Sequence, residues 1–374
     1  MKKIILHIRF VVACCLLAVG IIVQASDNLR RPISNEQPAW LIHIDVWNYA
    51  DPQKMIDMVP EDVRPYVIFN IATSSSNEKS PNGPAVYDSW MKVCAQNRVW
   101  TMIQCSSGAT NRMPDTPNDV SAYEKYFKDY PNFLGFNFAE QYWGFDEEGG
   151  VTFESRLQLF DKLLSLAKAY GGYLAVSFAD SYHNANKMPV AWMKRNSSIN
   201  TFLSNSPEHF LCFEKYTQKK NFLYNESHCL GAWLGGFAGQ YGIRFDSSGW
   251  VESGVKPDMQ EGDTQYTVGS SEFVRAAGAI PVAEHVMLTG QTIIDGPELS
   301  WTECSTEGSP STDAEGFNCR NWQWTAQWSA ITLDMFRKIL DGTIRIPSKA
   351  EVMERTKVCV VSSGSGTDND SYRI

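Results

Sequence analysis

The sequence predicts an α/β fold, a (β/α)8 barrel of the TIM type followed by the start of a C-terminal β module. Short apolar runs alternate with longer helical patterns eight times along the chain. The short runs are apolar on both faces, as strands covered by helices outside and by packed side chains inside must be. No glycine-rich phosphate turn follows an early strand, which separates the pattern from an open doubly wound sheet.

Residues 40–45 (Trp-Leu-Ile-His-Ile-Asp) read as the first strand, and 52–58 as a short helix entered through Pro52. Residues 66–71 form the second strand with a helix near 87–97, and 100–104 the third with a helix over 121–130. The fourth strand, 133–139, precedes a long amphipathic helix over 153–170 that Gly171 and Gly172 end. Residues 173–178 give the fifth strand with a helix near 190–195, and 210–213 the sixth with a helix over 226–237. The seventh is 241–245, with a helix near 272–288; the eighth is 292–295, and the closing helix spans 333–340. Asp51, Asp57 and Glu154 are expected at helix starts, where exposed N–H groups need acceptors. After Gly342 the pattern changes. Residues 357–361 are rich in β-formers and 362–374 are polar and aperiodic, so the barrel is assigned to 26–346 and a β-rich module, begun but not completed, to 347–374.

Residues 1–25 read as a signal peptide: a basic start (Lys2, Lys3, Arg9), an apolar run over 10–23, and small residues at Val23 and Ala25. The run is short for a bilayer span, which needs about 20 residues. Export to the periplasm, cell surface or medium is therefore expected, with no integral membrane segment after cleavage. A lipidation box ending at Cys14 is a poorer fit, because His7 and Arg9 would interrupt its apolar core.

Formal net charge is −9 over 374 residues, and no basic block stands out, which argues against nucleic acid as a partner. The nine cysteines include Cys14 and Cys15, which leave with the signal. The other seven form no metal-ligand spacing. Cys94, Cys105 and Cys212 lie in apolar patterns and read as buried, inert thiols, whereas Cys304 and Cys319 bracket a polar loop that a disulfide could close. Neither cofactor nor metal is implied.

Barrel enzymes carry their chemistry at the C-terminal ends of the strands. Here those ends are crowded with carboxylates and rings: Asp45, Trp47 and Asn48 after His43; Glu140, Tyr142 and Trp143 after the fourth strand; Glu214, Lys215 and Tyr216 after the sixth; Asp246 and Trp250 after Arg244; Asp295 and Glu298 after the eighth. One carboxyl group to protonate a leaving oxygen and others to activate water is the kit of glycoside hydrolysis. Aromatic residues, 12% of the chain, suit both a filled core and the apolar faces of sugars.

Four stretches are long enough to be recognised: Trp40-Leu-Ile-His-Ile-Asp-Val-Trp-Asn-Tyr-Ala-Asp-Pro52, Gly135-Phe-Asn-Phe-Ala-Glu-Gln-Tyr-Trp-Gly144, Gly239-Gln-Tyr-Gly-Ile-Arg-Phe-Asp246 and Leu288-Thr-Gly-Gln-Thr-Ile-Ile-Asp-Gly-Pro-Glu-Leu299. Together they resemble the catalytic module of glycoside hydrolase family 98, over about residues 31–361. The resemblance implies an endo-acting, inverting enzyme on a (β/α)8 barrel followed by a β-sandwich module. Its substrates would be blood-group or Lewis-type glycans cut at an internal β-galactosidic bond, or decorated xylan. It makes Glu140 the general acid, and Asp246 and Glu298 the pair that holds and deprotonates water. Inversion needs the acid and base about 6.5–9.5 Å apart, a span that strands four, seven and eight can bridge. Glu140 would need apolar neighbours, such as Phe138, Tyr142 and Trp143, to stay protonated.

The sugar-contact candidates are His43, Asp45, Trp47, Asn48, Tyr142 and Trp143, with Glu214, Lys215, Tyr216, Arg244 and Trp250. Each could instead serve barrel packing. The expected partner is an oligosaccharide or polysaccharide, met by a monomer. A non-catalytic glycan-binding protein is the competing reading; the intact carboxylate trio argues against it.

Overall fold

A computed structural model of the protein describes residues 29–45, 51–72, 83–105, 119–138, 153–179, 189–216, 222–245, 288–295, 301–303, 311–312, 318–319, 322–324 and 332–356. Eight parallel strands close into a barrel in sequence order, with the eighth pairing back to the first. They are β1 (Ala39–Asp45), β2 (Val67–Ala72), β3 (Trp100–Cys105), β4 (Phe133–Phe138), β5 (Tyr173–Ala179), β6 (Phe210–Tyr216), β7 (Gln240–Phe245) and β8 (Ile293–Asp295). Around them run α1 (Pro52–Met58), α2 (Gly83–Gln96), α3 (Val120–Asp129), α4 (Phe153–Tyr170), α5 (Pro189–Arg195), α6 (Ser197–Asn205), α7 (Phe222–Leu234) and α8 (Asp334–Leu340). The expected helix before β8 lies outside the described residues except for Leu288, which is helical. So do residues 1–25; no helix among the described residues is long and apolar enough to cross a membrane.

Most strands match their expected spans within a residue. β6 runs three residues further, to Tyr216, because it keeps pairing on both sides: Ala179 with Lys215, and Tyr216 with Phe245. Asp51 caps α1, its Oδ1 accepting from the Lys54 backbone N–H at 2.8 Å, and Glu154 lies in the first turn of α4. Asp57 departs from expectation. It sits in the last turn of α1 rather than at a start, where it accepts from Gln53 Nε2 at 2.9 Å. The unexpected helix α6 is set by Asn196, whose side chain caps the Ile199 N–H.

Two apolar cores follow from strand alternation. The outer one fills the space between strands and helices, with Tyr126 and Phe127 of α3 against Phe133 and Phe136 of β4; the Phe127–Phe133 rings lie edge-on at 4.8 Å. The inner one plugs the lumen with Ala39, Leu41, Ile68, Met102, Leu134, Tyr173, Ala175, Leu211, Phe213 and Ile293. Residues 29–38 seal its N-terminal end. Arg31 is buried there and donates to the Pro38 carbonyl at 2.8 Å, while Tyr173 Oη donates to the Arg31 carbonyl at 2.6 Å. Cys94, Cys105 and Cys212 are free thiols and, like Cys229, buried; burial pushes the Cys94 and Cys105 thiols up, away from reactive thiolate.

After β8 come two short antiparallel pairs, β9 (Trp301–Glu303) with β12 (Trp322–Trp324), and β10 (Ser311–Thr312) with β11 (Asn318–Cys319). The Cys304–Cys319 bridge that the sequence would allow falls outside the described residues, since Cys304 is not among them.

Residues 347–374 were expected to open a β-rich module, yet α9 (Lys349–Arg355) lies within them and belongs to the barrel body. A capping box starts it: the Ser348 side chain receives the Glu351 N–H, and the Glu351 side chain receives the Ser348 N–H. Val352 is buried in the outer core, and Lys349 Nζ donates to the Trp233 carbonyl. Gly290 makes the room, since a Cβ there would lie 2.9 Å from the Trp233 ring and 3.0 Å from Val352. Residues 357–361, which carry the β-rich pattern, lie outside the described residues.

The cap also makes α9 sensitive to acid. Hydrogen bonds from Arg345, and then from Ser348, hold the Glu351 carboxyl down from 4.5 to about 2. A depressed carboxyl contributes stability that is present above its unfolded value and lost as pH falls through the folded one. The N–H groups of α9 are therefore expected to exchange faster with solvent between about pH 4.5 and pH 2. Glu351→Gln should flatten that dependence, measured by amide hydrogen exchange corrected for intrinsic rates.

Candidate active site

Toward the C-terminal end of the barrel, the inner apolar core gives way to polar side chains. Seven strands each contribute one buried residue: His43 from β1, Asn70 from β2, Gln104 from β3, Asn137 from β4, Ser177 from β5, Arg244 from β7 and Asp295 from β8. Polar groups sealed from water need partners, and most of these find one another, although Asn70 Oδ1 is buried without one. Arg244 Nη1 donates to Gln104 Oε1 at 2.6 Å, which also accepts from Asn70 Nδ2 at 3.0 Å. Asn137 Nδ2 donates to Asp295 Oδ2 at 3.3 Å, and Ser177 Oγ to Asn137 Oδ1 at 3.4 Å.

One ion pair organises the set. Arg244 Nη1 lies 3.5 Å from Asp295 Oδ2, and both side chains are almost wholly buried. On its other side, Arg244 Nη2 stands 3.4 Å from His43 Nδ1. A guanidinium only donates, so in this contact Nδ1 accepts and the His43 ring proton sits on Nε2. β4, β7 and β8 are thereby tied together through Asn137, Asp295 and Arg244, with the Asn137–Asp295 bond crossing the lumen between opposite strands.

A local irregularity in β4 makes that crossing possible. Phe133 faces the outer core and Leu134 the lumen, so simple alternation would send residue 137 outward. Instead the register with β3 jumps between Thr101 and Met102, and Gly135 takes φ +141°. Phe136 then faces out and Asn137 in. Only glycine fits, because a Cβ at Gly135 would lie 1.8 Å from the Tyr173 carbonyl oxygen of β5.

Of the residues expected at the site, His43 and Arg244 sit in this polar floor, bonded to barrel side chains. Asp45 ends β1, and Glu214, Lys215 and Tyr216 end β6; their side chains lie outside the described residues. Trp47, Asn48, Glu140, Tyr142, Trp143, Asp246, Trp250 and Glu298 lie outside the described residues altogether. In sequence, Glu140 follows the last residue of β4 by two, Asp246 follows β7 by one, and Glu298 follows β8 by three. Among the described residues no cluster of His, Cys, Asp and Glu could hold a metal ion.

Asn70, Gln104 and Ser177 were absent from the sequence-based candidates. Their signal was present: one polar residue interrupts the inward-facing series of each apolar strand near its C-terminal end. Each stands alone within an apolar strand, away from the carboxylates and rings that mark the strand ends.

Comparison with known proteins fits this architecture. Two chains of the Streptococcus pneumoniae family 98 catalytic module, one native and one in complex with the Lewis Y pentasaccharide, superpose with TM-scores of 0.63 and 0.64 at 16% identity, covering 88% of this chain and 56% of theirs. The blood-group-substance endo-1,4-beta-galactosidase of Clostridium perfringens is 20% identical over 92% of this chain. The chain spans less than half of that relative's length, 43%. The family model described as glycosyl hydrolase family 98 matches residues 27–347, nearly the whole described barrel, and on that match the protein belongs to glycosyl hydrolase family 98.

Proposed function

We propose that this protein is an exported, endo-acting glycoside hydrolase that cleaves an internal β-galactosidic bond in blood-group-type glycans and inverts the anomeric centre. Glu140 donates a proton to the leaving oxygen, while Asp246 and Glu298 hold and deprotonate the attacking water. The observation that carries the reading is the clamp Asn137–Asp295–Arg244. It joins the three strands, β4, β7 and β8, from whose ends these carboxylates follow. β4 stands opposite β8 in the barrel, which suits an acid and a base separated by a sugar and a water, about 6.5–9.5 Å. The buried clamp gives those strand ends fixed relative positions, and positioning is where much of a barrel enzyme's rate enhancement arises. The blood-group preference is supported by the printed activity of the C. perfringens relative and by the pentasaccharide complex of the pneumococcal module. The Lys2 to Ala25 segment, with its basic start and apolar run, supports export.

The test is to incubate the protein in parallel with the Lewis Y pentasaccharide, blood-group A and B glycans, and arabinoxylan. Mass spectrometry identifies the released oligosaccharides, and proton NMR follows the first anomer formed. The expected result is release from the blood-group glycans with the α-anomer appearing first. A β-anomer first would remove the water-activating role from Asp246 and Glu298. Release from arabinoxylan alone would move the substrate to xylan.

A further inference from the structure

We infer that Gln104 is a substrate-binding residue whose side-chain Nε2 donates a hydrogen bond to a sugar hydroxyl at the floor of the cleft. This rests on the glycosidase reading above. The orientation of the amide follows from its neighbours. Arg244 can only donate, so the Gln104 atom 2.6 Å from its Nη1 must be oxygen. Asn70 Nδ2 donates to the same oxygen at 3.0 Å. A flipped amide would set N–H against guanidinium and lose both bonds. Nε2 is therefore held on the far side of the amide, and it takes no partner in the hydrogen bonds of the described residues.

Exposure separates Gln104 from the other members of the floor. It keeps 7% of its surface open, whereas Asn70, Asn137, Ser177 and Asp295 keep none. It is the last inward position of β3, one residue before the strand ends at Cys105. Its register neighbour across β2 is Ala72, which on the same inward face adds no bulk over the amide. A buried amide with its oxygen engaged twice and its nitrogen on the side away from both donors is a preorganised donor. Binding through it costs little rotamer freedom, because the side chain is already fixed. The ligand class it suits is a neutral, hydroxyl-bearing sugar whose oxygen accepts.

Gln104→Glu separates the donor from the support. The shape is kept and an oxygen still faces Arg244 and Asn70, but an ionised carboxylate has no proton to give. With the Lewis Y pentasaccharide as probe, KM is expected to rise about 10–100-fold, the loss from leaving a buried polar group mispaired, with kcat and Tm changing little. Gln104→Met, which removes the donor without adding charge, should raise KM similarly at some cost in Tm. In the wild type, one monodeoxy analogue of the pentasaccharide should show a comparable loss, and that same analogue should show no further loss in either variant. Unchanged KM in the variants would overturn the proposal. So would a loss equal for every analogue, or a wild type indifferent to each single deoxygenation. Failure of the wild type to cleave or bind any glycan is a different result, and it strikes the glycosidase reading before any variant is needed.

Discussion

Replacing Glu140 with Gln is expected to lower kcat on the Lewis Y pentasaccharide by about 10²–10⁴-fold, the usual contribution of a positioned general acid. The two side chains have the same shape and differ at the reacting atom, where Gln has no acidic proton. KM should stay within a few-fold and Tm should hold, so the loss is one of transition-state stabilisation alone. Two further readouts identify the missing function as proton donation. A glycan carrying a dinitrophenolate leaving group needs little protonation, and its cleavage should fall far less. The fall in kcat/KM at high pH, where the acid of the wild type ionises, should vanish in the variant. Equal losses on both leaving groups would assign Glu140 another role. Full activity in Glu140→Gln would leave the chain without its proposed acid.

The chain order of strands and helices was legible because barrel strands must be apolar on both faces and helices on one. That contrast survives in residues such as those of β2, Val-Ile-Phe-Asn-Ile-Ala, all buried. What periodicity could not reveal was which residues of a strand face inward after an irregularity. Gly135 shifts the count by one, and Asn137 reaches Asp295 only because of that shift. The glycine stood inside a recognised motif, yet its reason is the close approach of the Tyr173 carbonyl from β5, a contact between distant residues. α9 was missed for a related cause. Its start signal, Ser348 followed by Glu351, was local and readable, but the polar tail beyond it dominated the reading. Arg244 shows the limit from the other side. Its position at a strand end was right, while its role depends on Gln104, His43 and Asp295, which come from three other strands.

The buried pair itself gives a second large effect, on stability. Asp295→Ala would leave the Arg244 guanidinium in the lumen without its carboxylate and would also strip Asn137 Nδ2 of its acceptor. Breaking one side of a buried ion pair typically costs about 3–5 kcal/mol, because the remaining charge loses its counter-ion without regaining water. Arg244→Met should cost a similar amount, since it removes the charge facing Asp295 and the short bond to Gln104. The double variant, Arg244→Met with Asp295→Leu, removes both charges and fills the space with apolar atoms. It should be more stable than either single variant, with a coupling of about 2 kcal/mol or more in a urea-denaturation cycle. Additive losses would mean that the two side chains are held independently, and the clamp would lose its organising role. Activity should part company with stability here. Restored folding does not restore the Asn137–Asp295 bond between β4 and β8, so kcat on the pentasaccharide should stay depressed in the stable double variant. A stable and fully active double variant would show that the strand ends keep their places without Arg244 and Asp295. The ion pair would then be a feature of the core, and the placement of the carboxylates would have to come from the loops that carry them.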